Sequence, residues 1–91
     1  MHRILLDTDI GSDVDDALAL TMLLGNSEVI IEGVTTVYGD TSLRAQIANR
    51  LASIAGHEID CYPGVSEPLS GRPVWVSGKE GVAFPDLQQE A

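Results

Sequence analysis

One cysteine, Cys61, leaves no partner for an internal disulfide. That fits a reducing compartment and makes a buried structural thiol its simplest role. Basic residues are also few, five Lys and Arg against fourteen Asp and Glu, for a formal charge of −9. Cations scattered from Arg3 to Lys79 form no basic patch, which argues against nucleic-acid phosphates as partners. Aromatics are 4% of the chain, and Trp75 between Val74 and Val76 reads as a packing patch or interface, not a base-stacking platform. No run approaches the roughly 18 apolar residues of a membrane span. Met1 leads almost directly into the first apolar segment, with no room for a signal peptide. The expectation is a cytoplasmic protein without membrane contact.

What the chain does have is acid, concentrated. Asp7, Asp9, Asp13, Asp15 and Asp16 fall within ten residues, between the apolar run Ile4-Leu5-Leu6 and an apolar-periodic segment. Like charges this close repel, and a compact fold tolerates them when a cation sits among them. Hard divalent cations with oxygen ligands, Ca²⁺ or Mg²⁺, suit such a site. The alternative is a solvated acidic loop in which Asp13 or Asp15 caps the following helix.

At 91 residues the chain makes at most one small domain, and 44% apolar content is globular. A domain of this size buries roughly 60–65% of its unfolded surface, so its stability margin is thin. Arg3 to Asp7 reads as a buried parallel strand, Ile4-Leu5-Leu6 being continuously apolar rather than alternating. A helix is predicted from Asp15 to Leu24, with Ala17, Leu20, Thr21 and Leu24 at helical spacing and a stop at Gly25-Asn26. Val29 to Val37 is β-branched and reads as a second strand. A second helix runs from Thr41 to Ala55. Its inward stripe is Leu43, Ile47, Leu51 and Ile54, its outward residues are Arg44, Gln46 and Arg50, and it stops at Gly56. Ile59 to Tyr62 is a short third strand. This βαβαβ alternation predicts an α/β fold, a Rossmann-like parallel sheet with right-handed crossovers and ligands at the strands' carboxyl ends. Residues 64–91 show no period longer than Pro73 to Val76 and read mostly as loop, evidence that part of the domain lies elsewhere.

The stretch Asp7-Thr8-Asp9-Ile10-Gly11-Ser12-Asp13-Val14-Asp15-Asp16-Ala17-Leu18-Ala19-Leu20 closely resembles the N-terminal signature of the nucleoside hydrolases, the inosine-uridine-type ribohydrolases, usually D-x-D-P-G-x-D-D-A-x-A. Gly33-Val34-Thr35-Thr36-Val37-Tyr38-Gly39-Asp40 resembles that family's second block, G-[IV]-T-T-V-x-G-N. Gly78-Lys79-Glu80-Gly81-Val82 is a weaker likeness to its H-G-x-x-G-[LV] turn. The resemblance implies hydrolysis of the N-glycosidic bond of a ribonucleoside to base and ribose. It implies Ca²⁺ as cofactor, with Asp9 as ligand and as the general base that takes a proton from the metal-bound water. Asp16 is then a further ligand, Asp7 supports the metal, and Asp15 and Asp40 hold the ribose. The chemistry is coherent in its own right. An oxocarbenium-like transition state needs an activated water, negative charge around the developing cation and hydroxyl acceptors for the sugar.

Three departures stand out. The turn between Asp9 and Asp15 is two residues longer than the usual form and lacks its proline, so Asp13 is a further candidate. Asp40 replaces asparagine, and Ser77 replaces histidine. Asp40 serves equally well as a cap for the second helix. The family's domain is considerably longer, so residues 1–91 correspond to its N-terminal portion. Its further metal ligands, other ribose contacts and leaving-group acid lie beyond residue 91. A homo-oligomer is expected for the full-length form. Two other readings compete: a catalytically inactive metal-binding fragment, and an Mg²⁺-dependent phosphohydrolase of the D-x-D type with Asp7 as nucleophile. The latter leaves Asp15-Asp16-Ala17 unexplained. An EF-hand fails at Ser12 and Leu18, where glycine and glutamate are needed.

Overall fold

A computed structural model describes residues 1–11 and 14–74. Asp13, Ser77, the Gly78–Val82 likeness, Trp75 with Val76, and the rest of the tail lie outside them. The elements follow the predicted order: β1 (His2–Thr8), α1 (Val14–Leu24), β2 (Val29–Thr36), α2 (Thr41–Ile54) and β3 (Cys61–Pro63). Boundaries move by one or two residues from those predicted, the usual play at element ends. The sheet is parallel throughout, in the order β1-β2-β3. Residues 64–74 contain neither helix nor strand.

Register decides which face each side chain takes. Ile4 pairs with Ile31 but Leu5 pairs with Gly33, so Glu32 is an extra residue in β2. After that bulge Leu6 and Val34 share one face with Thr8 and Thr36, while Leu5 shares the other with Asp7, Thr35 and Tyr62. Glu32 meets Arg3 Nε at 3.3 Å in an exposed pair of little energetic weight.

Both helices pack on each other and on β2, so they cover the same side of the sheet. The core between is Ile10, Leu20, Leu24, Val34, Ile47, Ala48 and Ala52. On the opposite side Leu5, Ile30 and Tyr62 stay exposed. Helix α1 buries Leu20 and Leu24, whereas Thr21 is exposed, contrary to its place in the predicted stripe, and its hydroxyl bonds back to the Ala17 carbonyl at 2.8 Å. Helix α2 ends as its glycine predicts. Gly56 is left-handed, its N–H donates to Ser53 O, and His57 N–H reaches Ala52 O.

Helix α2 differs from the prediction in its faces. Ala45, Ala48 and Ala52 bury completely or nearly so, letting the helix lie close on the sheet, and Ile54 is 67% exposed instead of inward. Arg44, predicted to face water, is 2% exposed. Helical periodicity assigns a lone arginine to the outside. Here backbone carbonyls from two loops supply the acceptors that make burial tolerable.

Candidate functional site

Strands β1 and β2 end side by side at Thr8 and Thr36, and the chain leaves both through tight turns. Ile10 anchors the first turn, with none of its surface exposed. Gly11 follows at φ 117°, a conformation that essentially only glycine adopts. Together they bring the first turn of α1 back against the end of β1.

Asp16 is the centre of this contact. Its Oδ2 accepts the Thr8 hydroxyl at 2.6 Å and the Asp9 N–H at 3.2 Å. Thr8 in turn accepts the Ile10 N–H at 3.1 Å. The Asp9 and Asp16 carboxyls also lie within hydrogen-bonding reach of each other. That shared hydrogen bond raises the Asp9 pKa above its ordinary 3.8, helped by burial and by the Asp16 charge. The same bond, with the Thr8 hydroxyl, lowers Asp16. The Arg44 guanidinium exerts a smaller downward pull on both. Such a pair holds one proton between two acids, or a cation in its place.

The second turn is strained and closely held. Tyr38 adopts φ 73° and Gly39 φ 72°. Their N–H groups donate to Val65 O and Ser66 O, both at 2.9 Å, and the Ser66 hydroxyl donates to Gly39 O at 2.7 Å. A left-handed tyrosine is uncommon and costs of order 1 kcal/mol or more, so the surrounding bonds over-determine it. Arg44 links the two turns. Its Nε donates to Tyr38 O at 2.6 Å, and Nη1 donates to Asp9 O at 2.8 Å and Ile10 O at 3.0 Å.

Asp9 and Asp16 are thus brought together. Asp7 shares their end of the sheet, but the pleat turns it to the opposite face from Thr8, where it accepts the Thr35 hydroxyl at 2.7 Å. Thr35 is exposed on that face, whereas its neighbour Thr36 is fully buried on the other. Asp15 is exposed in the first turn of α1. Asp40 caps α2, accepting the Leu43 N–H at 3.1 Å. Sequence reasoning missed Thr8, whose signal was its parity: in an alternating strand it faces opposite to Asp7. It missed Arg44 for want of any local signal.

A divalent cation fits the donor chemistry of the Asp9–Asp16 pair, two oxygen ligands whose mutual repulsion it would relieve. Among the described residues no three His, Cys, Asp or Glu side chains are arranged to hold a metal. A groove of about 430 Å³ lies elsewhere, between α2 and the edge strand β3, lined by Ser42, Asn49, Asp60 and Cys61 among others. Burial pushes the Cys61 thiol up to about 11, which makes it no nucleophile. Among the described residues no helix is long and apolar enough to cross a membrane.

The family model for inosine-uridine preferring nucleoside hydrolase matches residues 4–91. Uridine nucleosidase 1 of Arabidopsis thaliana is 36% identical over 88 residues, covering 89% of this chain and 26% of its own length. Probable uridine nucleosidase 1 of Oryza sativa subsp. japonica is 37% identical over 76 residues, covering 78% and 23%. An uncharacterized protein of Schizosaccharomyces pombe is 33% identical over 92 residues, covering 91% and 29%. The chain spans about a quarter of the length of these curated relatives. With the match running from β1 through the last residue, the chain belongs to the inosine-uridine preferring nucleoside hydrolase family.

Proposed function

We propose that this chain carries the acidic turn of an enzyme hydrolysing the N-glycosidic bond of ribonucleosides to free base and ribose. The observation that carries the reading is the Asp9–Asp16 pair at the carboxyl end of the sheet, where Asp16 Oδ2 accepts both the Thr8 hydroxyl and the Asp9 N–H. Two carboxylates held this close, one of them fixed by a hydroxyl and a main-chain N–H, suit joint ligation of a hard cation. The relatives named uridine nucleosidases support a pyrimidine ribonucleoside such as uridine as substrate.

In this reading Asp9 and Asp16 would hold Ca²⁺, whereas Asp7, at the same end of the sheet but on its other face, is engaged by the Thr35 hydroxyl. When bound, the cation supplies a water of lowered pKa. Asp9 carboxylate oxygen takes a proton from the attacking water. Thr8 keeps one Asp16 oxygen engaged and so orients that carboxylate. Asp15 accepts a ribose hydroxyl from its exposed place in the first turn of α1. Asp40 is available to the sugar through whichever oxygen its capping bond leaves free. The negative charge of the cluster favours the oxocarbenium character that develops as the base departs.

The test is calorimetric titration of the chain with Ca²⁺, beside a variant carrying Asp9→Asn and Asp16→Asn. Uracil release from uridine is followed in a form extended to the relatives' length. Saturable binding lost in the variant, with turnover abolished by Asp9→Ala in the extended form, supports the reading. Binding without turnover in that form favours a cation-binding unit that is not catalytic. Turnover undiminished by Asp9→Ala removes Asp9 as base.

A further inference from the structure

Arg44 is the one cation fully enclosed among the described residues of this strongly acidic chain. A buried guanidinium costs several kcal/mol unless it is well satisfied, so the position of its donors is informative. Three of its bonds go to main-chain carbonyls, two on the β1–α1 turn at Asp9 and Ile10 and one on the β2–α2 turn at Tyr38. The planar fork spans two loops next to different candidate residues, Asp9 with the α1 residue Asp16 on one side and Asp40 on the other. It also holds Tyr38 in a backbone conformation the residue would leave if released. A lysine at this place has the charge but a single donor atom, and cannot bridge both turns at once.

We infer that Arg44 is a positioning residue that clamps the acidic turn to the Tyr38 turn and so fixes the presentation of the Asp9 and Asp16 carboxylates. The inference rests on the reading of those two residues as the ligand pair. Freed of the clamp, the Asp9 and Ile10 carbonyls rotate toward water, and the carboxylates lose their common orientation before any element unfolds. Arg44 touches no reacting atom. Its effect passes through the main chain it holds.

The experiment compares the full chain with Arg44→Lys, Arg44→Met and, as a control, Leu24→Ala. The control removes core volume far along α1 from the turn. Two readouts are taken well below each melting point: affinity for Ca²⁺ alone, by calorimetry, and amide hydrogen exchange at Ile10 and Val34. Both Arg44 variants are expected to weaken Ca²⁺ binding roughly tenfold or more, the usual effect of removing a group that orients a ligand. Ile10 exchange should speed up by roughly the same factor, with Val34 unchanged. Leu24→Ala should lower the melting temperature and leave both readouts at the turn intact. The inference is overturned if Arg44→Lys behaves as the parent, since charge alone then suffices. It is equally overturned if Ile10 and Val34 accelerate together, or if neither Arg44 variant folds, since Arg44 is then only a stabilising residue. If the 91-residue parent binds no Ca²⁺, as a site completed by ligands beyond residue 91 would allow, the exchange pattern alone decides the clamp.

Discussion

Thr8 hands its hydroxyl hydrogen to Asp16 across 2.6 Å and takes the Ile10 N–H in return, so one side chain fixes both ends of the acidic turn. Replacing it with valine keeps the shape and removes both bonds. Ile10 is fully buried, and its N–H would lose its acceptor, a loss of about 1–3 kcal/mol. Thr8→Val should therefore lower the unfolding free energy by about that amount and let the Asp16 pKa rise toward its ordinary value. Thr8→Ser, which keeps the hydroxyl, should retain most of the stability. Denaturant unfolding of the three proteins checks the first point, and carboxyl NMR titration the second. A valine variant as stable as the serine one would show that the hydroxyl contributes nothing.

The paired acids predict a stability maximum in pH. Asp16 is lowered in the folded state, so its contribution is present above its unfolded value of about 3.8 and is lost as pH falls through the folded value. Asp9 is raised, so its contribution is full below 3.8 and is lost as pH rises through the folded value. The pair is most stabilising between the two. Above that window both carboxylates ionise and repel, and the metal-free chain should melt at lower temperature as pH approaches neutral. Asp9→Asn keeps an amide donor for Asp16 without a titrating proton. It should flatten the upper limb and melt above the parent at neutral pH, while binding Ca²⁺ less tightly. Melting curves across pH, with and without Ca²⁺, decide this. A parent whose melting temperature does not fall toward neutral pH would contradict the shared proton.

Much of the fold was legible because it is written locally. Ile4-Leu5-Leu6 and the β-branched run from Val29 place the strands, and Gly56 stops α2 through the left-handed conformation that glycine accepts at no steric cost. The acidic turn stood out as a candidate for the same reason, since its carboxylates lie within ten residues. Arg44 was not. Burial of a guanidinium depends on acceptors from residues 35 positions away, and no period in α2 announces them. The division of the aspartates into those that meet and those that do not also escaped the sequence reading. It follows from the pleat, which sets Asp7 and Thr8 on opposite faces, and from register, which a bulge at Glu32 shifts by one residue.

Asp40 offers a separation of structural from chemical roles. Its side chain caps α2 by accepting the Leu43 N–H at 3.1 Å. Asparagine caps about as well as aspartate, whereas alanine costs about 1 kcal/mol. Asp40→Asn should therefore leave thermal stability within a few tenths of a kcal/mol, and Asp40→Ala should lower it by about 1 kcal/mol. A matching loss in both variants would mean that charge at the helix N-terminus, not the capping bond, is what counts.

Two left-handed glycines test whether the acidic turn depends on more than local conformation. Gly56 stands at φ 83° with nothing within 4 Å of where a Cβ would lie. Gly56→Ala meets only the local penalty of that conformation, about 1 kcal/mol. Gly11 stands at φ 117°, and an added Cβ would sit 2.6 Å from Ile47 Cδ1 and 3.6 Å from Arg44 Nη1. The Ile47 side chain can shift, but it is 5% exposed and packed in the core, so the move is resisted from behind. The remaining way out is for the turn itself to lift, taking Ile10 from its pocket and Asp9 from Asp16. Gly11→Ala should then cost about 1–3 kcal/mol and weaken Ca²⁺ binding sharply, while Gly56→Ala leaves the affinity at the parent value. Unfolding and Ca²⁺ calorimetry on both variants give the comparison. Equal affinities in the two would mean that the carboxylates present themselves without help from the turn, and the ligand pair would then owe its geometry to the first turn of α1 alone.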